Sequence, residues 1–498
     1  MALAPGSTIG ILGGGQLGRM MALAAARIGY KCHIFDPHER PCAAEVAAYF
    51  TRAGFDDEDA LRRFGGQCDV ITYEFENLPV EPLRVLGDKL RPGLKSLAVA
   101  QDRGDEKSFL ESAGVGVTPW RAVASLADLH SAVAELGLPI VLKTRRYGYD
   151  GKGQAWIREP GGVESAWDEI GREPAVAEAG VNFEAEFSVV MARTVDGQVR
   201  AFPLTLNHHE GGILRRSTVP AGPLVERFAD GANGAARAIA DALGHVGVLT
   251  VEFFAVAGGP LVNEIAPRVH NSGHWTIEGA HTSQFEQHLR AILGLPLGDP
   301  SLVADGAEME NLIGPEIDRW DEILAEPRAD LHLYGKGEAR PGRKMGHEQR
   351  PVQRPSRDRF EIVGPIERGG SVVIGCADLL QIFEIVSPQI LRSVEHQMFE
   401  QVSEAGLAFR LVLGSDIVPD ADADHRRLMV LVDDDGEAIV EHELGVGDGD
   451  LADQGRNRNR FGRRCRSDCR DQIASGGGFD RRARRAGGQQ RYAGKQDN

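Results

Sequence analysis

The sequence predicts two architectures in one chain: an α/β region with a parallel, Rossmann-like sheet, then an α+β region of antiparallel strands. A long final stretch specifies neither. Three observations predict this. Short apolar, β-branched runs alternate with helical stretches over roughly the first 117 residues. Later strands are joined by Asp-Gly and Gly-Gly turns. After His347 the chain turns polar and Pro-rich, and finally Arg/Gly-rich.

In "IGILGGGQLGRM", Ile9 to Met20, a strand runs into a glycine turn and a helix expected over Gln16 to Ile28, a geometry that suits an anion. Gly13, Gly15 and Gly18 match the dinucleotide fingerprint G-x-G-x-x-G, and Asp36 at the end of "KCHIFD" would be its ribose acid. "KCHIFD" and "CDVITYEFENLP" supply further parallel strands. A helical run from Gln101 to Ala113 ends at Gly114, and a domain boundary is expected near Thr118. Beyond it, "LPIVLKTRR" leads into a glycine-rich loop. "FEAEFSVVMARTVDGQVRAFPLTLNHH" alternates like antiparallel strands turning at Asp196 and Gly197, and "GVLTVEFFAVAGGPLVNEIAPR" is a hairpin expected to turn at Gly258 and Gly259.

At 498 residues the chain suits about three domains of ~150 residues each. Its 56 Lys and Arg against 73 Asp and Glu give a formal net charge of −17, which argues against a general polyanion binder; no nucleic-acid partner is expected. The N-terminus lacks a signal-peptide pattern, and no apolar run approaches the ~20 residues of a membrane span, so a cytoplasmic protein without a membrane partner is expected. The six cysteines are scattered, only Cys465 and Cys469 are close, and reduced thiols are expected.

Three segments carry chemistry. In "KTRRYGYDGKGQ", Lys143 to Gln154, three glycines let backbone amides approach phosphate oxygens while Lys143 and Lys152 add charge. In the hairpin, a three-residue turn centred on Gly258 would set Glu252 directly opposite Glu264, whereas a two-residue turn would slip them by one. Opposed carboxylates repel unless a cation sits between them, and Mg²⁺ shared with nucleotide phosphates is the usual solution; a solvated surface pair is the alternative. "NEIAPRVHNSGHWT", Asn263 to Thr276, follows without a break, bringing Arg268 to neutralise a transferring phosphoryl group and His270 and His274 beside a candidate metal site.

Together with "GGGQLGRM", "YEFENLP", "QDRGDEKSFL" and "LYGKGEARPGRKMGH", these segments resemble the ATP-grasp superfamily and, within it, the N5-carboxyaminoimidazole ribonucleotide synthetases of purine biosynthesis, over about residues 7 to 347. The resemblance implies a Rossmann-like pre-ATP-grasp domain (1–117), an ATP-grasp domain with its lid (118–300) and a small β-rich C-terminal domain (301–347); the unassigned extension (348–498) departs from the family pattern and is read as disordered or non-native, with a fused domain as the alternative. It implies an ATP-dependent ligation in which bicarbonate becomes carboxyphosphate and 5-aminoimidazole ribonucleotide captures the carboxyl, with ATP and Mg²⁺ (or Mn²⁺) required and a homodimer as the working unit. Nucleotide contacts would fall on Arg103, Lys143, Gly148, Tyr149, Asp150, Gly151, Lys152, Gly153, Gln154, the hinge Glu178, Ala179, Gly180 and Val181, Glu186, His209, Asn263 and Glu264. Glu252 and Glu264 would hold the metal, and Arg268 would steady the acyl phosphate. Lys143 would take part in catalysis, and Asp150 would orient the amine or simply serve the turn. Similarity to the formate-dependent glycinamide ribonucleotide transformylases places the ribonucleotide on Gln16, Leu17, Glu74, Asn271, Lys336, Arg343 and Lys344, with Glu76 and Asn77 as weaker candidates.

Competing readings are a nicotinamide-dependent dehydrogenase, a sibling ATP-grasp ligase using another carboxylate, and a non-enzymatic binding module. The first leaves the Lys143 loop and the Glu252/Glu264 hairpin without a role.

Overall fold

The computed structural model describes residues 2–148 and 152–352 and three strands further on. Tyr149, Asp150 and Gly151 lie outside the described residues. Two compact units divide the chain, Met1–Glu361 and Ile362–Asn498.

The first unit begins with β1 (Thr8–Leu12), β2 (Lys31–Asp36), β3 (Tyr49–Arg52) and β4 (Val70–Tyr73), a parallel sheet in the order β3-β2-β1-β4. The apolar runs of β1, β2 and β4 are buried because helices cover both faces. Met21 and Ala25 of the helix Gln16–Arg27 pack with Ile9, Ile11 and Ile34; Leu61 and Phe64 of the helix Glu58–Gln67 pack with Leu12, Phe35 and Ile71. Asp102 caps the helix Arg103–Ser112 by accepting from the Gly104 and Asp105 amides.

Next, β5 (Trp120–Val123), β6 (Ile140–Thr144), β7 (Gln154–Ile157) and β8 (Ala175–Ala179) form a small antiparallel sheet, order β5-β8-β6-β7. The glycine-rich loop is the connection between β6 and β7, based where Lys143 pairs with Gln154.

A nine-stranded antiparallel sheet follows, made of β9 (Ala185–Arg193), β10 (Val199–Ala201), β11 (Thr205–Glu210), β12 (Ile213–Val219), β13 (Gly247–Val256), β14 (Gly259–Ala266), β15 (Gly306–Ile313), β16 (Asp330–Leu333) and β17 (Lys344–Val352). Its order is β14-β13-β9-β11-β12-β15-β17-β16, with β10 beside β9. Strand β9 is buried on both faces: Phe187, Val189 and Met191 meet the helix Ala229–Leu243, while Val190 and Ala192 join a core shared with the helices Gln284–Leu293 and Gln16–Arg27. That second core ties the large sheet to the parallel one. His288 reinforces the tie, donating from Nε2 to Thr72 Oγ1 on β4 (2.8 Å) and accepting the Val248 amide of β13 at Nδ1 (3.0 Å).

Two expectations need correction. The boundary expected at residue 347 falls inside β17, which pairs with β15 as far as Val352. Pro351 lies beyond Gln349, where the pairing of β16 with β17 ends. The extension expected to lack regular structure contains an antiparallel sheet in the second unit, β18 (Phe409–Val412), β19 (Arg427–Val432) and β20 (Ala438–Glu443), in sequential order. Apolar runs are visible between Gly369 and Val418, but without a clear period they do not announce strands. Cys465, Cys469 and the Arg/Gly-rich end lie outside the described residues.

Candidate functional site

The hairpin of β13 and β14 turns through two residues, Ala257 and Gly258, because Val256 pairs with Gly259. That register alone would set Glu252 opposite Asn263. A β-bulge between the Phe253 and Glu252 pairs absorbs Asn263, so that Phe253 faces Val262 and Glu252 faces Glu264. Val262 and Phe253 enter the core, and the two carboxylates share the other face. The opposition expected from a three-residue turn is therefore reached by another route.

Charge divides the pair. Burial and the neighbouring Glu264 push the Glu252 carboxyl well above the usual carboxylate range. Burial also works against ionisation of Glu264, but the Arg103 guanidinium outweighs it and holds the carboxyl below the usual range. Arg103 Nη1 lies 2.9 Å from Glu264 Oε2, and its Nη2 donates to the Gly148 carbonyl at 3.3 Å, joining the helix, the hairpin and the glycine loop.

A second charged group lies behind the first. Glu178, 2 % exposed, takes Lys143 on one oxygen (3.1 Å) and Lys107 on the other (3.2 Å). Burial opposes its ionisation, yet the two ammonium groups bring it down to about 2. Lys107 also donates to the Asn263 carbonyl (2.9 Å), and Lys143 reaches Asn263 Oδ1 at 3.4 Å, so the bulge residue is held by both lysines. In the hinge, the Ala179 and Gly180 amides donate to Pro119 and Pro139.

Around the carboxylates, His209 Nδ1 sits 2.6 Å from Glu186 and His270 Nε2 sits 3.3 Å from Glu252. Burial works against a charge on His209, but Glu186 and Glu252 outweigh it and raise its pKa, whereas burial and Arg268 push His270 down to about 3. Arg268 is gripped by Glu76 through Nε and Nη2 (3.0 Å for the latter) and donates to the Val269 carbonyl at 3.1 Å. Asn271 makes a reciprocal amide pair with Asn311, at 3.0 and 2.8 Å.

The glycine loop at the N-terminus holds an anion that belongs to the chain itself. Glu74 accepts the amides of Gly15 and Gly18, the latter at 2.8 Å, and Asp36 accepts that of Gly14 at 2.8 Å. Gly13 has a φ of +102°, and a Cβ there would stand 2.5 Å from the Glu74 side chain. The anion site read from "GGGQLG" is thus filled by Glu74, and Asp36 serves the turn. Leu17 packs in the core, leaving its backbone and Gln16 at the helix start. Lys336 lies over the Tyr334 ring and donates to the Lys344 carbonyl at 2.9 Å, and burial and Arg343 bring it down to about 8. Arg343 donates to the Glu338 carbonyl at 3.0 Å.

The carboxylates of Glu252 and Glu264 and the amide oxygen of Asn263 are hard oxygen donors, the set that suits Mg²⁺, and a cation there would offset both the burial and the Glu264 charge that raise Glu252. Sequence reasoning missed Lys107, Asp102 and Glu106. Asp102 holds Arg145 (2.7 Å) and Arg146 (3.2 Å) at the base of the glycine loop, and buried Glu106 accepts the Ile265 amide at 2.7 Å, its carboxyl pushed up to about 8 by burial and Glu264. The helical run was legible, but nothing in its spacing reports that its buried face is charged.

Comparison with known proteins places three domain families along the chain: the ribonucleotide synthetase preATP-grasp domain at residues 6–101, the ATP-grasp domain at 108–285 and the phosphoribosylaminoimidazole carboxylase C-terminal domain at 307–348. The N5-carboxyaminoimidazole ribonucleotide synthase of Brucella melitensis is 48 % identical over 354 residues, covering 70 % of this chain and 97 % of that protein. The bifunctional purine synthesis protein purC/E of Dictyostelium discoideum is 44 % identical over 371 residues; the match covers 70 % of this chain but spans only 37 % of that protein's length. The crystal structure of the Aspergillus clavatus N5-carboxyaminoimidazole synthase with ADP and 5-aminoimidazole ribonucleotide superposes with a TM-score of 0.66 at 30 % identity, covering 70 % of this chain and 94 % of that one.

Proposed function

We infer the reaction from one premise: the chain belongs to the N5-carboxyaminoimidazole ribonucleotide synthase family. It is an ATP-dependent carbon–nitrogen ligase that carboxylates 5-aminoimidazole ribonucleotide in purine biosynthesis. Bicarbonate attacks the γ-phosphorus of ATP, releasing ADP and forming carboxyphosphate. The amine of the ribonucleotide then attacks the carboxyl carbon, phosphate leaves with the bonding pair, and the nitrogen gives up one proton.

The observation that carries this reading onto particular residues is the bulged hairpin, where Glu252 and Glu264 face each other beside Arg103. Glu252, Glu264 and Asn263 would hold Mg²⁺ (or Mn²⁺), which when bound neutralises phosphate charge and fixes the transferring group. Arg103 and Lys143, now paired with Glu264 and Glu178, would bind phosphate oxygens, and with the Ala179 and Gly180 amides donating to Pro119 and Pro139 the Val181 amide would meet the nucleobase edge. Arg268, oriented by Glu76, would stabilise the acyl phosphate. Glu74 is bound to the loop amides, so Lys336, Arg343 and Lys344 are the better candidates for the ribonucleotide phosphate, with Glu74 available to a ribose hydroxyl. The working unit we propose is a cytoplasmic homodimer, as the family resemblance implies.

The test is ADP release that requires both bicarbonate and 5-aminoimidazole ribonucleotide, measured on the full chain and on one ending at Val352. ADP formation indifferent to either substrate would overturn the reading. Equal rates from the two chains would make the second unit dispensable.

A further inference from the structure

Behind Glu252 a file of hydrogen bonds crosses the large sheet as far as His270, whose ring lies against the carboxylate. Ser217 Oγ on β12 donates to Asn207 Oδ1 (3.0 Å), and Asn207 Nδ2 on β11 donates to Ser188 Oγ (3.2 Å). Ser188 Oγ on β9 donates to Ser272 Oγ (2.8 Å), which lies 2.9 Å from His270 Nδ1. His270 Nε2 meets Glu252 Oε1 at 3.3 Å. The register explains the path, since Ser217 pairs with Asn207 across β12 and β11, and Ser188 pairs with Glu252 across β9 and β13.

Chemistry at the ends sets the direction of the file. Asn207 Nδ2 can only donate, so Ser188 accepts there and spends its own proton on Ser272. The Ser272 amide also points at His270 Nδ1 (3.3 Å), which makes that nitrogen an acceptor. A neutral ring then carries its proton on Nε2, facing Glu252. Ser188, Ser217 and Ser272 are fully buried and Asn207 is 6 % exposed, so water cannot stand in for a missing hydroxyl.

We propose that Ser188, Ser272 and Asn207 are positioning residues: their relay locks His270 as the Nε2–H tautomer, which turns that proton toward Oε1 of Glu252, 3.3 Å away, and leaves Oε2 to the divalent cation. The inference rests on the reading of Glu252 as a metal carboxylate. Partners that orient a ligand from behind are worth about 10- to 100-fold in metal affinity.

The test uses the full chain with ¹⁵N-labelled histidine, the His270 signal being assigned by its loss in His270→Gln. The expected spectrum has a protonated Nε2 and a bare Nδ1; a proton on Nδ1 would overturn the relay without any further variant. Mn²⁺ affinity in the presence of ADP, read by electron paramagnetic resonance, is expected to fall about tenfold in Ser188→Ala and Ser272→Ala. Ser272→Thr, which keeps a hydroxyl, should restore it. If Glu252→Gln loses Mn²⁺ while the serine variants bind it as tightly as the unsubstituted chain, the relay has no positioning role. If Glu252→Gln itself binds Mn²⁺ normally, the metal reading fails and takes the inference with it.

Discussion

Glu252 and Glu264 face each other across a hairpin whose turn is one residue too short to align them, and the bulge at Asn263 makes up the difference. In a regular strand Val262 and Glu264 would share a face; with the bulge, Val262 enters the core beside Phe253 and Glu264 stands beside Glu252. Glu252→Gln or Glu264→Gln is expected to cut ADP formation by on the order of 100-fold or more, by removing an oxygen ligand and its charge. Because Glu252→Gln also removes a like-charge contact, its thermal midpoint should not fall. A variant that melts early would mean the pair has a structural role.

Glu178 is expected to matter as much to folding as to nucleotide binding. Glu178→Gln leaves Lys107 and Lys143 buried without their counter-charge, at a cost of about 3–5 kcal/mol in denaturant unfolding. The carboxyl sits at about 2 in the fold against its ordinary 4.5, so its contribution is present above pH 4.5 and is lost as pH falls from there toward 2. In Glu178→Gln that part of the acid dependence should disappear.

Arg268 is held through two nitrogens by Glu76, a geometry a lysine cannot copy. Arg268→Lys is expected to lower kcat by roughly 100-fold while leaving the KM for ATP nearly unchanged, the pattern of a contact made mainly in the transition state. A rise in KM with kcat intact would assign Arg268 to substrate binding.

Dinucleotides should not bind at the N-terminal loop. Glu74 and Asp36 already accept the amides of Gly14, Gly15 and Gly18, so calorimetric titration with NAD is expected to give no heat of binding. Glu74→Gln should cost about 1–3 kcal/mol of stability through loss of charge-assisted bonds to those amides.

Acid should loosen the fold through its buried histidines. His245, held between Ser96 and the Val248 carbonyl, is pushed down to about 4 by burial, and His288 to about 3. Both are neutral in the fold and take up a proton on unfolding below their ordinary 6.5, so the stability they contribute is full above pH 6.5 and is lost as pH falls toward 4. For His245 alone the swing is about 3 kcal/mol, and His245→Gln should flatten the pH dependence of the melting temperature over that window.

The sequence by itself determined the parallel sheet, the glycine loop between two strands, the helix ending at Gly114 and the motifs that carry the family resemblance, because periodicity and turn chemistry are local. It also placed Glu252, Glu264 and Arg268 next to chemistry. Only the tertiary structure decided that Asn263 bulges, that Lys107 shares Glu178 with Lys143, that Glu74 fills the loop expected to hold a phosphate, and that β17 runs on to Val352. Each of these, like the pairing of Arg103 with Glu264 and of Arg268 with Glu76, depends on contacts between separate segments of the chain. Burial there makes an unpaired charge or amide too costly to leave, so packing, and not spacing along the chain, chooses the partner.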